Sequence, residues 1–376
     1  MDIELMKKEF PHDEGLIYLN HAAVAPWPAR TRDAVRRFAG ENASSGAQHY
    51  MNWVQKETEL RGQIQRLLNA PSIADISLLK NTSEALSVVA SGLPWQQGDN
   101  VVTSAEEFPS NRIPWQALAG RGVGLKEVDI KVAEPEQALI NSCDRHTRVL
   151  TISSVQYGSG IRLDLELLGR YCRQHDILFC VDAIQSLGAI AMDVQAVQAD
   201  FVMADAHKWL LGPEGIALFY TTPAARDRLT LQQYGWHMVE NMDFNEREWQ
   251  IARSGRRFEC GSPNMLGIHA MSASLSLLEQ IGTRQIEDMV LDNSAFLIDR
   301  LEQISSVRLL TPKARQRHAG IISFTVAGAD LSALQAKLAG RRVICVHRGG
   351  GIRFSPHFYI NRDLLDKAVE ILSVSI

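Results

Sequence analysis

Apolar residues recur at three- and four-residue steps between residues 31 and 68, and that period predicts amphipathic helices over the span. Short, largely apolar runs follow at 100–104, 149–153, 178–182 and 201–205. Runs of this length with little alternation predict strands buried on both faces. Helix-like segments separate them as far as about residue 220, the pattern of a mainly parallel sheet covered by helices. Beyond a helix-forming run at 268–281 the order changes to helix, strand at 321–326, helix at 331–338, strand at 343–346 and a last helix, which predicts a small α+β unit. The expected organisation is an N-terminal arm (1–20), a large α/β domain (21–265) and a small C-terminal domain (266–376), without internal repeats or low-complexity segments.

Composition narrows the class of protein. A length of 376 residues accommodates two or three domains. The net charge of −4 is small and the basic residues are scattered, which argues against nucleic acid as a partner. No apolar stretch is long enough for a membrane span, and the charged start, from Met1 and Asp2 to Glu9, is unlike a secretory signal, so the expected compartment is the cytoplasm. Five cysteines with no CxxC pair predict reduced thiols rather than a disulfide framework or a metal site.

Candidate chemistry gathers at strand ends, where ligands of open α/β sheets bind. Asp182 and Asp205 close two of the predicted strands, and Ala206-His207-Lys208-Trp209-Leu210-Leu211-Gly212-Pro213 follows the second. Schiff-base chemistry needs an amine held in a desolvated cleft, although this octapeptide alone fits a surface lysine at a turn equally well. Asp182, in Val181-Asp182-Ala183-Ile184-Gln185-Ser186, lies one βαβ step upstream. A carboxylate there could keep a pyridine nitrogen protonated, or could cap the next helix. Gln185 could donate to a phenolic oxygen of the same ring. Asn81-Thr82-Ser83-Glu84-Ala85-Leu86 reads either as a helix N-cap or as a phosphate cup.

Together with Ile17-Tyr18-Leu19-Asn20-His21-Ala22-Ala23, the run 257–264 and the run 353–359, these motifs resemble, over nearly the whole chain, the class-V aminotransferase family. This is the fold-type-I group of pyridoxal-phosphate enzymes that includes cysteine desulfurases, kynureninase and isopenicillin N epimerase. The resemblance implies pyridoxal 5′-phosphate as cofactor and a large domain whose mainly parallel seven-stranded sheet lies between helices, with a small α+β C-terminal domain. It makes Lys208 the Schiff-base lysine, Asp182 the partner of the ring nitrogen and Gln185 the partner of the cofactor's O3′. Thr82, Ser83 and His207 would hold the phosphate, and Ser262 would reach it from the neighbouring subunit of a homodimer with shared active sites. Phe108 takes the ring-stacking position that desulfurases fill with His, more as in kynureninase. Arg353 would fork onto the α-carboxylate of a small amino-acid substrate, with Asn20, His21 and Gln156 nearby. Asp205 departs from the family, in which many members carry a phosphate-binding Ser at that position.

The activity so implied is an amino-acid transformation of the aminotransferase or β-elimination lyase type, with an epimerase or racemase, or a cofactor-binding regulator without turnover, as alternatives. Desulfurases carry a mobile Cys shortly before the carboxylate-binding Arg. Here 347–352 holds none, and Cys345 reads as part of a buried strand. The expectation is therefore that the chain is not a persulfide-forming cysteine desulfurase.

Overall fold

The computed structural model describes residues 3–243, 245 and 247–376. Met1 and Asp2, part of the expected arm and of the charged start, lie outside the described residues. In chain order the strands are β1 (Ile17–Tyr18), β2 (Ile76–Leu79), β3 (Asn100–Ser104), β4 (Gly124–Val128), β5 (Thr147–Ser153), β6 (Leu178–Asp182), β7 (Phe201–Asp205), β8 (Ala217–Thr221), β9 (Val307–Leu309), β10 (Ile322–Val326), β11 (Val343–Ile344), β12 (Val346–Arg348) and β13 (Gly351–Phe354).

Seven of them form one sheet in the order β2-β8-β7-β6-β5-β3-β4, parallel throughout the stretch from β7 to β4 and antiparallel where β8 meets β7 and β2. Alternate residues of its central strands feed different layers. Phe179 and Val181 of β6 and Val202 and Ala204 of β7 join the larger core cluster, while Leu178, Cys180, Phe201 and Met203 join the smaller one on the opposite face. Burial on both faces is why these strands carry few polar residues before their C-terminal ends. Within this sheet the strands that the apolar pattern had not marked are β2, β4 and β8. β4, Gly124-Leu-Lys-Glu-Val, is a half-exposed edge strand with little hydrophobic signal.

A second, antiparallel sheet, β12-β13-β10-β9, carries the C-terminal chemistry. The strand expected at 343–346 divides at Cys345. β11 leaves this sheet to pair in parallel with β1, register Ile17↔Val343, and β12 pairs with β13. The N-terminal segment is thereby tied to the C-terminal part of the chain, and the tie continues in a bridge between Asn20 and Ser355. The helix Met265–Ile281 packs against the helices Ala29–Ser45 and Tyr50–Leu68, which the periodicity at 31–68 had anticipated as helical.

Candidate active site

Parallel register brings the ends of β5, β6 and β7 together. Ser153 faces Asp182, and Asp182 faces Met203, two residues before the end of β7. Lys208 follows β7 in a tight turn, closed by hydrogen bonds from the Leu211 amide to the Lys208 carbonyl (3.0 Å) and from the Gly212 amide to the Ala206 carbonyl (2.8 Å). The loop after β6 packs directly on that turn. Gly188 sits at φ +96°, and a β-carbon there would lie 2.0 Å from the Trp209 carbonyl oxygen, so only glycine permits the approach.

The Lys208 ammonium nitrogen lies 5.7 Å from the centroid of the Phe108 ring. Burial pushes its pKa below the ordinary lysine range; Arg353 and Arg348 add to the effect, and Asp182 and Asp205 oppose it. Asp182, 2 % exposed, accepts a hydrogen bond from the Ile184 amide (3.0 Å). Burial pushes its carboxyl upward, with Glu107 and Asp205 contributing in the same direction and Lys208 and the Ile184 amide against it. A buried carboxylate of this kind is relieved by a cation placed beside it, and a protonated ring nitrogen is such a cation.

Gln185 is committed on both atoms of its amide. Its Oε1 accepts from the Trp209 indole (3.0 Å) and its Nε2 donates to the Ala22 carbonyl (3.0 Å), which leaves one N–H free. At the other end of the cleft Thr82 opens the helix Thr82–Gly92, capped by Asn81, whose side chain accepts from the Glu84 amide (2.8 Å). The Thr82 amide and hydroxyl both donate to Asp205 Oδ1, the hydroxyl at 2.9 Å. His207 Nδ1 is buried, 3.3 Å from Asp205 Oδ2 and without a hydrogen-bond partner among the described residues. Ser83 is exposed and donates to the Ser110 hydroxyl (2.8 Å). Ser262 is exposed as well, on the wall of a 650 Å³ cavity that it shares with Lys80, Asn81 and Cys260.

Arg353, on β13, has no exposed surface. Its Nη1 donates to the Tyr157 carbonyl (2.7 Å), while its Nε and Nη2 are buried without a partner among the described residues. Burial, reinforced by Arg348, pushes this guanidinium down to about 9. Tyr157 also meets the edge of Phe108, with ring centroids 5.2 Å apart. Its loop is held against the 349–351 loop by a glycine pair: a β-carbon on Gly349, at φ +65°, would lie 2.6 Å from Cα of Gly158.

The three residues expected beside the substrate differ in what they have to offer. Asn20 Oδ1 and Gln156 Oε1 are buried and unpartnered among the described residues, as acceptors awaiting a ligand would be. His21 is spent: one ring nitrogen donates to the Ser355 carbonyl (2.8 Å), and the other accepts from the Tyr359 hydroxyl (2.6 Å). Its ring lies 5.4 Å from that of His357, whose Nε2 donates to the Trp209 carbonyl (3.0 Å). Both nitrogens of this buried imidazole are thus engaged within the chain, and it is His357 that bonds the lysine turn.

Glu107 was not among the candidates. It is buried at the side of Asp182 and accepts from the Ser153 amide (2.8 Å), the Ser153 hydroxyl, Gln156 Nε2 (2.9 Å) and Asn111 Nδ2 (3.0 Å). It thereby orients Gln156 and anchors the loop that carries Phe108. Its only signal in the sequence is its adjacency to Phe108, because three of its four donors come from the distant 153–156 segment and reach it only after folding. A cluster of ligand-type side chains, Glu57, His237 and Glu259, has the Arg61 guanidinium between its carboxylates, at 2.6 and 2.7 Å.

A buried amine, a carboxylate at the facing strand end, an aromatic wall and a buried guanidinium free at Nε and Nη2 are groups that a pyridoxal enzyme acting on amino acids requires. The family model described as aminotransferase class-V matches residues 17–357, and the chain belongs to that family. It is a pyridoxal-phosphate-dependent enzyme of that class, transferase or lyase in type. Among curated proteins it is 28% identical over 96% of its length, and 94% of the relative's, to a probable cysteine desulfurase of Methanothermobacter thermautotrophicus. It is also 28% identical, over 86% of this chain and 82% of the other, to a cysteine desulfurase of Salmonella newport. Among solved structures it resembles the Escherichia coli cysteine desulfurase CsdA, with a TM-score of 0.89 at 21% identity, covering 100% and 98% of the two chains. It also resembles the cystine C-S lyase C-DES in complex with its reaction product cysteine persulfide, with a TM-score of 0.91 at 23% identity, covering 97% and 99%. These two likenesses establish the fold.

The curated relatives overturn the expectation that persulfide-forming desulfuration is excluded. That expectation rested on the missing loop Cys, and the structure does bury Cys345, whose thiol is pushed up to about 12. The inference from it was too strong, because a persulfide also forms when a disulfide substrate loses its sulfur pair, with no protein thiol involved.

Proposed function

We propose that the chain cleaves the β-carbon–sulfur bond of a small sulfur-bearing amino acid, cysteine or its disulfide cystine, with pyridoxal phosphate as cofactor. The observation that carries this reading is the buried Arg353 guanidinium, unpaired at Nε and Nη2 and on the same cleft as the depressed Lys208 amine. The names of the curated relatives supply the sulfur.

Bound there, the cofactor supplies an electron sink for charge developing at the substrate's α-carbon. Arg353 forks onto the α-carboxylate and fixes the orientation of the α-carbon. Lys208, kept in reach of its neutral form by burial, removes the α-proton. Asp182 keeps negative charge beside the ring nitrogen, and the Phe108 face closes one side of the cleft and excludes water. The sulfur leaves with the bonding electron pair, as sulfide from cysteine or as a persulfide from cystine. Thr82, Ser83, His207 and the remaining N–H of Gln185 are the donors for the cofactor's oxygens, and Asn20 and Gln156 offer acceptors to the substrate.

The enzyme works as a homodimer in which Ser262 completes the partner's phosphate site, a reading supported by its exposure on an open cavity. The domain limits at 20/21 and 265/266 belong to the same proposal. Among the described residues no helix is long and apolar enough to cross a membrane. The five cysteines are free, as in a reducing compartment such as the cytoplasm.

The test supplies cysteine and cystine separately to the cofactor-loaded enzyme and measures sulfide, persulfide and pyruvate. Release of a sulfur species with either substrate is expected. Transamination of an amino acid with no sulfur released from either would overturn the reading.

A further inference from the structure

Three donors assigned to the cofactor's phosphate face a carboxylate of this chain. The Thr82 amide and hydroxyl both point at Asp205 Oδ1, and His207 Nδ1, buried and otherwise unpaired, lies 3.3 Å from Asp205 Oδ2. Thr82 begins an eleven-residue helix, so the carboxylate also lies at the positive end of that helix's dipole, where an anion is favoured. Asp205 itself is 9 % exposed and is fixed by its place as the last residue of β7.

We propose that Asp205 is an internal stand-in for the cofactor's phosphate: it orders the phosphate donors when no cofactor is bound, and it competes for them when cofactor arrives. The proposal rests on the site reading above. Its consequence is a specificity different from that of a serine at this position. A serine would add a donor to the phosphate, whereas Asp205 removes donors and adds like charge. The chain therefore draws its affinity for cofactor from the ring more than from the phosphate, and it discriminates poorly between pyridoxal phosphate and pyridoxal.

The experiment titrates cofactor-free enzyme with pyridoxal phosphate, pyridoxal and inorganic phosphate, reading Kd by calorimetry and thermal midpoint by fluorescence. It compares the parent with Asp205→Ser and Asp205→Asn. Asp205→Ser is expected to tighten pyridoxal phosphate about tenfold or more, roughly 1.4 kcal/mol, and to leave pyridoxal within about twofold. Its cofactor-free thermal midpoint should fall while the loaded one rises. Inorganic phosphate should bind the variant more tightly than the parent. Asp205→Asn keeps the shape and loses the charge, so it should show a smaller tightening and serves if the serine variant does not fold. An unchanged or weakened Kd for pyridoxal phosphate in both variants, or an equal change for pyridoxal, would overturn the inference. Borohydride reduction and peptide mapping of the loaded parent separates the two failures. Label on a lysine other than 208 defeats the site reading, and label on Lys208 with no Asp205 effect defeats this inference alone.

Discussion

Replacing Arg353 with Met should make the cofactor-free protein more stable while it destroys substrate recognition. Arginine keeps its proton in proteins, so the burial that pushes this guanidinium to about 9, from an ordinary value above 12, is borne as a cost of folding. At 1.36 kcal/mol per pH unit that cost is roughly 5 kcal/mol. Methionine fills much of the same space without a charge. Against the relief stands the Tyr157 carbonyl, which loses its 2.7 Å donor and with it about 1–3 kcal/mol if left unsatisfied. The balance is a gain of about 2–4 kcal/mol, readable as a higher urea midpoint at unchanged slope. The same substitution removes a buried, forked contact to the substrate carboxylate, for which about 3–5 kcal/mol is the usual loss. That corresponds to a fall in kcat/KM of roughly two to four orders of magnitude. Glycine, which offers the α-carboxylate but has no β-carbon or sulfur to lose, should raise the thermal midpoint of the loaded parent and not of the variant. A variant less stable than the parent in the cofactor-free state would refute the argument, since it would mean that the guanidinium is adequately paired in the fold.

Lys208→Ala should abolish turnover and the absorbance of lysine-bound cofactor, and either one surviving would remove Lys208 from its role. Asp182→Asn should retain cofactor and lose most of the rate; activity within about threefold of the parent, under roughly 0.7 kcal/mol in the barrier, would contradict a role at the ring nitrogen. His357 is held neutral, its folded pKa lowered by burial to about 4, below the value of about 6.5 in the unfolded chain. Its stabilising contribution is therefore complete above pH 6.5 and lost as the pH falls toward 4, amounting to about 2 kcal/mol by pH 5. Urea unfolding of His357→Gln at pH 7.5 and 5 should show a correspondingly smaller acid loss than the parent, and equal losses would refute the assignment. Mass measurement in solution should find a dimer, and a fully active monomer would dispose of the role given to Ser262.

Much of this fold was legible in the chain because buried parallel strands announce themselves. β3, β6 and β7 lie where the apolar runs put them, and their polar last residues marked the edge on which the chemistry gathers. Lys208, Asp182 and Arg353 were nominated by motif and by the side-chain types their tasks require. Half-exposed β4 carried no comparable signal, and the strand expected at 343–346 broke at Cys345 because two different sheets claim its two ends. Contacts between distant segments decided the rest. The partners of His21, Ser355 and Tyr359, lie more than 300 positions away in the chain. Glu107 gained a role only when Ser153, Gln156 and Asn111 closed around it, and Asp205 did so only when the first turn of the helix at Thr82 was laid against it. Local pattern determines which groups stand at a strand end, because period and burial act over a few residues. Whether such a group faces a ligand, a proton or another part of the chain depends on what folding brings opposite it.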